Sequence, residues 1–530
     1  MHALWIVTAL ALADASGQHH EHGEKLGKVS FQNSCSPVAQ ETFLRGVALL
    51  HSFEYTPAET TFNEAVAADP SCAIANWGAA MSLYHPLWAP PSAAELERGR
   101  AAVAKALATP AKTERERDFV AAIATFYRDS DKLDHKTRAM AYNAAMEALY
   151  RRYPQDREAA VFYALSQAAA GTLDSDPTFA REKSAAAILN KVLKEEPDHP
   201  GVAHYLIHSF DYPPLAELAV SAARRYATIA PDSPHAQHMP SHIFTRLGMW
   251  DDSIASNLKS EAAAQAMMKA NGFAGASREE LHAMDYLTYA YLQTGRYKAA
   301  EGVRAHLYSM QRVDEPIFSV AFAATAIPAR LLLERGRWKE AANLELPANV
   351  RNLAPLDNFR WGEAHIRFAR AIGAARGGDA AAARIEIAGL NEIEQAMKVP
   401  PGTYDWKTQV SIERQIAQAW LARAERHDDE AVRLLKVAAD LDDASEKHPV
   451  TPGAILPARE QYAELLLEVG RPAEALVQYQ ASMKRAPMRL ASVRGAAKAA
   501  KLAGNDTQAR AYQAQLLALT KNADAQTASR

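Results

Sequence analysis

Between His204 and Asp285 the chain carries six histidines and two aspartates at spacings that place imidazoles and carboxylates on common helix faces. In HPGVAHYLIHSFDYPP, His204, His208 and Asp211 stand at i, i+4 and i+7, and Pro213 and Pro214 stop the helix behind them. In PDSPHAQHMPSHIFTRLGMW, His235, His238 and His242 stand at i, i+3 and i+7. Ser233 is placed to cap that helix and Pro234 to sit in its first turn, while Pro240 predicts a kink or a delayed start. LHAMDYLTYAYLQTG adds His282 and Asp285 at i and i+3.

Imidazole nitrogen suits zinc, copper, iron and nickel. Histidines facing one another from neighbouring helices are a common way to build a metal site in a helical bundle. The expectation is a transition-metal site formed by His204, His208, His235, His238, His242 and His282. Asp211 and Asp285 would be ligands, or would hold imidazole N–H groups. The set is enough for one ion with its supporting partners, or for two adjacent ions. An imidazole-rich site points to copper, and an added carboxylate to iron, both with redox chemistry on a small organic substrate. Zinc with an activated water would give a hydrolase instead. The plainer reading is a buried polar network that stiffens the fold. Five of the 18 histidines fall between His204 and His242, which favours the metal. His51, His85, His365 and His448 read as packed side chains. The HHEH stretch at His19 to His22 reads as low-complexity linker.

Other chemistries find no motif. The sequence has no nucleotide-binding glycine loop, no Gly-x-Ser-x-Gly elbow and no His-Glu-x-x-His pair. Its two cysteines, Cys35 and Cys72, lie in or beside the first helical unit and are expected as a disulfide in an oxidising compartment, or otherwise as buried thiols. A net charge of −3 without a long basic run argues against nucleic acid as a partner. No segment is apolar for long enough to be a transmembrane helix.

The elements that must position these residues are repeats. Ala58, Phe62, Ala65 and Pro70 fall at the small, aromatic, small and proline offsets of a tetratricopeptide (TPR) second helix, and Ala475, Tyr479, Ser482 and Pro487 repeat the pattern. Gly248, Gly295, Gly336, Gly378, Gly470 and Gly504 mark turns inside helix pairs. The last two are 34 residues apart, the TPR period, and the earlier steps are longer. Alanine is abundant and β-branched runs are scarce, so the expected fold is an all-α, TPR-like solenoid of antiparallel helix pairs curved into a concave shell. Trp77, Trp88, Trp250, Trp338, Trp361, Trp406 and Trp420 read as fillers of gaps between helices.

Along the chain, residues 1–15 are expected as a signal peptide, with an apolar run from Leu4 to Ala13 and cleavage near Ala15, though no Lys or Arg precedes the run. Residues 16–36 read as polar linker, 37–230 as N-terminal repeats, 231–345 as central repeats completing the histidine cluster, 346–520 as C-terminal TPR repeats and 521–530 as a flexible tail. The expected location is periplasmic or secreted. The segments SCSPVAQETFLRGVALLHSFEY, DPSCAIANWGAAMS, HPGVAHYLIHSFDYPPLA and HMPSHIFTRLGMWDDSIASN resemble a group of exported bacterial tetratricopeptide repeat proteins. The resemblance runs from about Val29 to the last helix. It implies the fold and an envelope-side location, and supplies no reaction. Two functions therefore stand beside one another: a metalloenzyme, and a non-catalytic scaffold whose groove binds a partner protein or peptide.

Overall fold

A computed structural model of the chain describes residues 25–524 apart from Trp88 and Ser175. The expected signal peptide, the His19 to His22 stretch, Trp88 and the end of the tail lie outside the described residues. From Pro37 to Leu519 the chain runs through consecutive helices, and an isolated bridge between Ala276 and Val313 is the only β pairing among the described residues. Among the described residues no helix is long and apolar enough to cross a membrane. Helices next to each other in sequence pack against each other, as the solenoid expectation requires.

Packing explains the repeat signature. Phe62, on helix Tyr55–Ala68, lies so close to Gly46 and Gly78 on the flanking helices that a Cβ at Gly78 would stand 2.4 Å from its ring. Tyr479 meets Gly495 in the same way, at 2.1 Å. The aromatic of one helix thus fits over a glycine of the next, which lets the helix axes approach closely. The six turn glycines named above all take positive φ, between 64° and 89°, where a side chain would be strained.

Two large apolar cores result. One runs from Leu26 to Phe244 and the other from Ala276 to Ala500. A third, smaller group, with Trp250, Leu287, Tyr289, Leu490 and Leu519, ties the middle of the chain to its last repeats. Arg489, fully buried, seals that junction by pairing with Glu460 and Glu334 and donating to the Tyr289 hydroxyl. The tryptophans divide: Trp77, Trp250, Trp361 and Trp420 are buried in these cores, whereas Trp338 and Trp406 are half-buried at their edges.

The segment before the first helix is more than linker. Leu26 and Phe31 are buried, and Phe31 touches the rings of Phe43, Trp77 and Phe119. Cys35 and Cys72 are joined in a disulfide, with Cα atoms 4.8 Å apart, which closes the entry segment onto the first helices.

Candidate metal centre

The six histidines sit where the two large cores meet. Helix Pro200–Phe210 carries His204 and His208 one turn apart. Ser233 caps helix Pro234–His238 by accepting from the Ala236 amide. Pro240 breaks the path there and opens a second short helix, Pro240–Arg246. His235 and His238 lie on the first short helix and His242 on the second. His282 stands on helix Arg278–Gln293. All but His208 are buried, and His208 is partly exposed.

The histidines form two groups of three, not one cluster. His204, His208 and His235 bring one nitrogen each into one group, and His238, His242 and His282 into another, with every pair within a group inside 4.8 Å. In the first, the His204 Nε2 is 3.1 Å from His208 Nε2 and 3.2 Å from His235 Nε2. In the second, His238 Nε2 is 3.0 Å from His242 Nε2. The groups are neighbours: ring centroids are 6.2 Å apart for His208 and His242, and 6.3 Å for His235 and His238. The split has a simple cause. His235 and His238 lie on one short helix but meet different neighbours, His235 reaching His204 on helix Pro200–Phe210 and His238 reaching His282 on helix Arg278–Gln293.

The opposite edge of each ring is held. His204 Nδ1 donates to the His51 carbonyl at 2.7 Å. His235 Nδ1 faces Glu279 at 3.4 Å. His238 Nδ1 donates to Asn257 Oδ1 at 2.6 Å, and the Asn257 amide nitrogen is used on the Ser253 carbonyl, which fixes the amide's orientation. His242 Nδ1 donates to Asp211 at 3.0 Å. A carbonyl, a carboxylate and an amide oxygen can only accept, so these Nδ1 atoms carry the protons. In neutral His204, His238 and His242 the Nε2 atoms then carry lone pairs, and those of His238 and His242 face one another.

Burial disfavours the charged form of five of these rings. His204, His208 and His238 are held well below the ordinary histidine range by loss of solvent. Burial also takes His242 down to about 4, against the pull of Asp211, and His282 to about 3. The carboxylates behind them are ionised. Burial would raise Glu279, but its bond to His235 and the neighbouring Arg278 outweigh this and hold it at about 2. Burial would raise Asp211 too, and Lys447 and Arg246 beside it hold it well below its usual value. Glu54, which accepts from the Ser233 hydroxyl, is pushed up to about 7 by burial and by Glu279.

The two aspartates, expected as ligands or as holders of imidazole N–H groups, part ways: Asp211 takes the second role and Asp285 neither. Asp211 follows the end of its helix as the C-cap, and orients His242 instead of joining the Nε2 groups. Asp285 takes no part. Its carboxylate pairs with the buried Arg330 guanidinium at 2.6 Å, and Arg330 reaches on to the Gly453 carbonyl. That one-turn neighbour of His282 serves the join to the C-terminal repeats.

The sequence reading missed Glu279, Tyr286, Asn257, Arg246 and Lys447. Glu279 and Tyr286 stand at i−3 and i+4 from His282, so their shared face was available to see. Asn257 and Lys447 come from distant elements and left no local signal. His51, read as a packed side chain, bonds Glu158 and Tyr205, and Glu158 also binds His199. Both imidazole Nε2 atoms point at the same carboxylate, which satisfies it without an ion.

No family model and no curated protein matches the chain. Solved structures similar to it include a human IFIT1 dimer with m7Gppp-AAAA, at 13% identity over 84% of this chain and 90% of that one, TM-score 0.37. Yeast Tom70 is similar at 12% identity over 91% and 98%, TM-score 0.31. The P58(IPK) TPR domain is similar at 11% identity over 88% and 99%, TM-score 0.21. Fold and packing together define the class: an all-α, TPR-like helical-repeat protein.

Proposed function

We propose that this chain is a metalloprotein that holds two transition-metal ions side by side, one on His204, His208 and His235, the other on His238, His242 and His282. One observation carries the reading. The Nδ1 atoms of His238 and His242 are committed to acceptors, so their Nε2 lone pairs point at each other across 3.0 Å in buried surroundings, and in the first group the Nε2 atoms of His208 and His235 stand 3.1 and 3.2 Å from that of His204. Without a proton or a cation between them such contacts repel, and burial disfavours the proton. A cation resolves both. Two nitrogens bound tetrahedrally at metal–nitrogen distances of about 2.0–2.1 Å stand about 3.3 Å apart, close to the separations found.

The donors favour copper. Among the described residues no carboxylate converges with the Nε2 atoms, so the imidazole–carboxylate mixture that would select iron is missing from the groups of three. Two adjacent copper ions would supply redox chemistry on a small organic substrate. Zinc fits the geometry as well and would give hydrolysis.

The test is elemental mass spectrometry on untagged protein purified without chelator. A ratio near two for one metal supports the reading, with His204→Ala and His238→Ala each expected to fall to about one while helical circular dichroism is kept. No stoichiometric metal, even after incubation with copper, iron and zinc salts, overturns it. A helical-repeat scaffold for a partner protein or peptide would then remain.

A further inference from the structure

The two groups of three are not chemically equal. Tyr286 lies one turn beyond His282 on helix Arg278–Gln293. Its ring contacts all three histidines of the second group, with centroids 4.7 Å from His238, 5.1 Å from His242 and 5.5 Å from His282. Its hydroxyl is 3.4 Å from His242 Nε2, and the residue is buried.

That hydrogen bond cannot coexist with metal. His242 Nδ1 holds its proton against Asp211, so Nε2 is the acceptor and the phenol is the donor. An ion bound to His242 occupies the same lone pair. The hydroxyl then loses its acceptor inside a buried site, where an unmade hydrogen bond is destabilising. The ion itself is what replaces the acceptor. The 3.4 Å between the phenol oxygen and Nε2 matches the roughly 3.3 Å expected of two donors on one tetrahedral ion.

Resting on the two-metal reading, we propose that Tyr286 is the fourth ligand of the second centre, bound through its phenol oxygen. The O–H bond breaks, an oxygen–metal bond forms, and the proton leaves to solvent as metal binds. The second centre is thereby closed, with three nitrogens and one oxygen. The first keeps three imidazoles, including the partly exposed His208, and so holds the open position at which a substrate would bind. Closed sites hold a metal, and open sites expose it to reaction.

The probe is copper(II) added to metal-free full-length protein. The expected result is about two coppers per chain and a visible phenolate-to-copper charge-transfer band, with tyrosinate ring modes enhanced in resonance Raman on that band. Tyr286→Phe is expected to keep its circular dichroism and lose the band. His204→Ala is expected to lose one copper and keep it. Wild-type protein that binds two coppers without the band, or a band that survives in Tyr286→Phe, overturns the ligand assignment and leaves the two-metal reading standing. Failure of the wild type to bind copper(II), iron(III) or zinc overturns both.

Discussion

Each histidine at this centre has one edge that decides what the other can do. His238 shows the point most directly, because its Nδ1 partner is the amide oxygen of Asn257, itself fixed by a bond to the Ser253 carbonyl. Removing that acceptor lets the proton move to Nε2, where it blocks coordination. Asn257→Leu keeps side-chain volume and removes the acceptor. It is expected to weaken the second ion about 10–100-fold and leave the first unchanged. Dialysis against chelators of graded strength, followed by metal analysis, would show the ratio falling from near two to near one. A ratio that stays at two would mean the ring edge does not control binding. Asp285 marks the limit of such reasoning from spacing. It stands one turn from His282, yet Arg330 claims it, and nothing local in the sequence reports the partner 45 residues away.

Helices were legible because their signals are local. The small–aromatic–small–proline offsets around Phe62 and Tyr479, the turn glycines and the cap at Ser233 all act within a few residues, and each does in the structure what its chemistry requires. The same locality found all six histidines. It could not divide them between two groups, because the division falls between His235 and His238 on one short helix and depends on which neighbouring helix lies opposite each. Nor could it find Asn257 or Lys447, which arrive from other elements. Packing between elements also bears on the site. Gly201 lies against the His51 ring, where a Cβ would stand 2.4 Å from Nδ1, and the His51 carbonyl holds His204. Gly201→Ala is therefore expected to destabilise the fold by about 1–3 kcal/mol through overpacking and to weaken the first ion. Gly302 has nothing within 4 Å of a built Cβ and lies in helix Tyr297–Ser309. Gly302→Ala is expected to stabilise by up to about 1 kcal/mol. Chemical denaturation of the pair checks both; equal effects would show that the Gly201 contact is not tight.

At the scale of the whole molecule, buried side chains tie distant repeats to one another and to the histidine centre. Arg489 fastens the last repeats to the middle through Glu460 and Glu334, and Lys447 reaches from the C-terminal half to Asp211, 236 residues earlier in sequence. Arg489→Ala would strand two carboxylates and is expected to cost about 3–5 kcal/mol, read as a lower denaturation midpoint. The same burial sets the response to acid. His85, His135 and His242 are depressed to about 4, and His282, His365 and His448 to about 3, chiefly by loss of solvent. In the unfolded chain each returns to its ordinary value near 6.5. Between 6.5 and about 4 the unfolded state therefore binds more protons than the folded one, so stability rises with pH across that window and is lost as pH falls through it. Glu54, raised to about 7, and Glu413, Asp285, Asp442 and Glu464, raised by burial, act in the opposite sense, whereas His51, His204, His208 and His238, depressed by burial, add to the six imidazoles. Thermal scans of chelator-treated protein from pH 7.5 to 4.5 are expected to show a melting midpoint that is level at the top and falls steadily below 6.5. Adding metal back should lift the midpoint most at the upper end, where its ligands are unprotonated in both folded and unfolded chains and only the folded one gathers them. A midpoint that stays level down to 4.5 would show that these imidazoles are not held neutral by the fold, and would remove the electrostatic reason for cations between them.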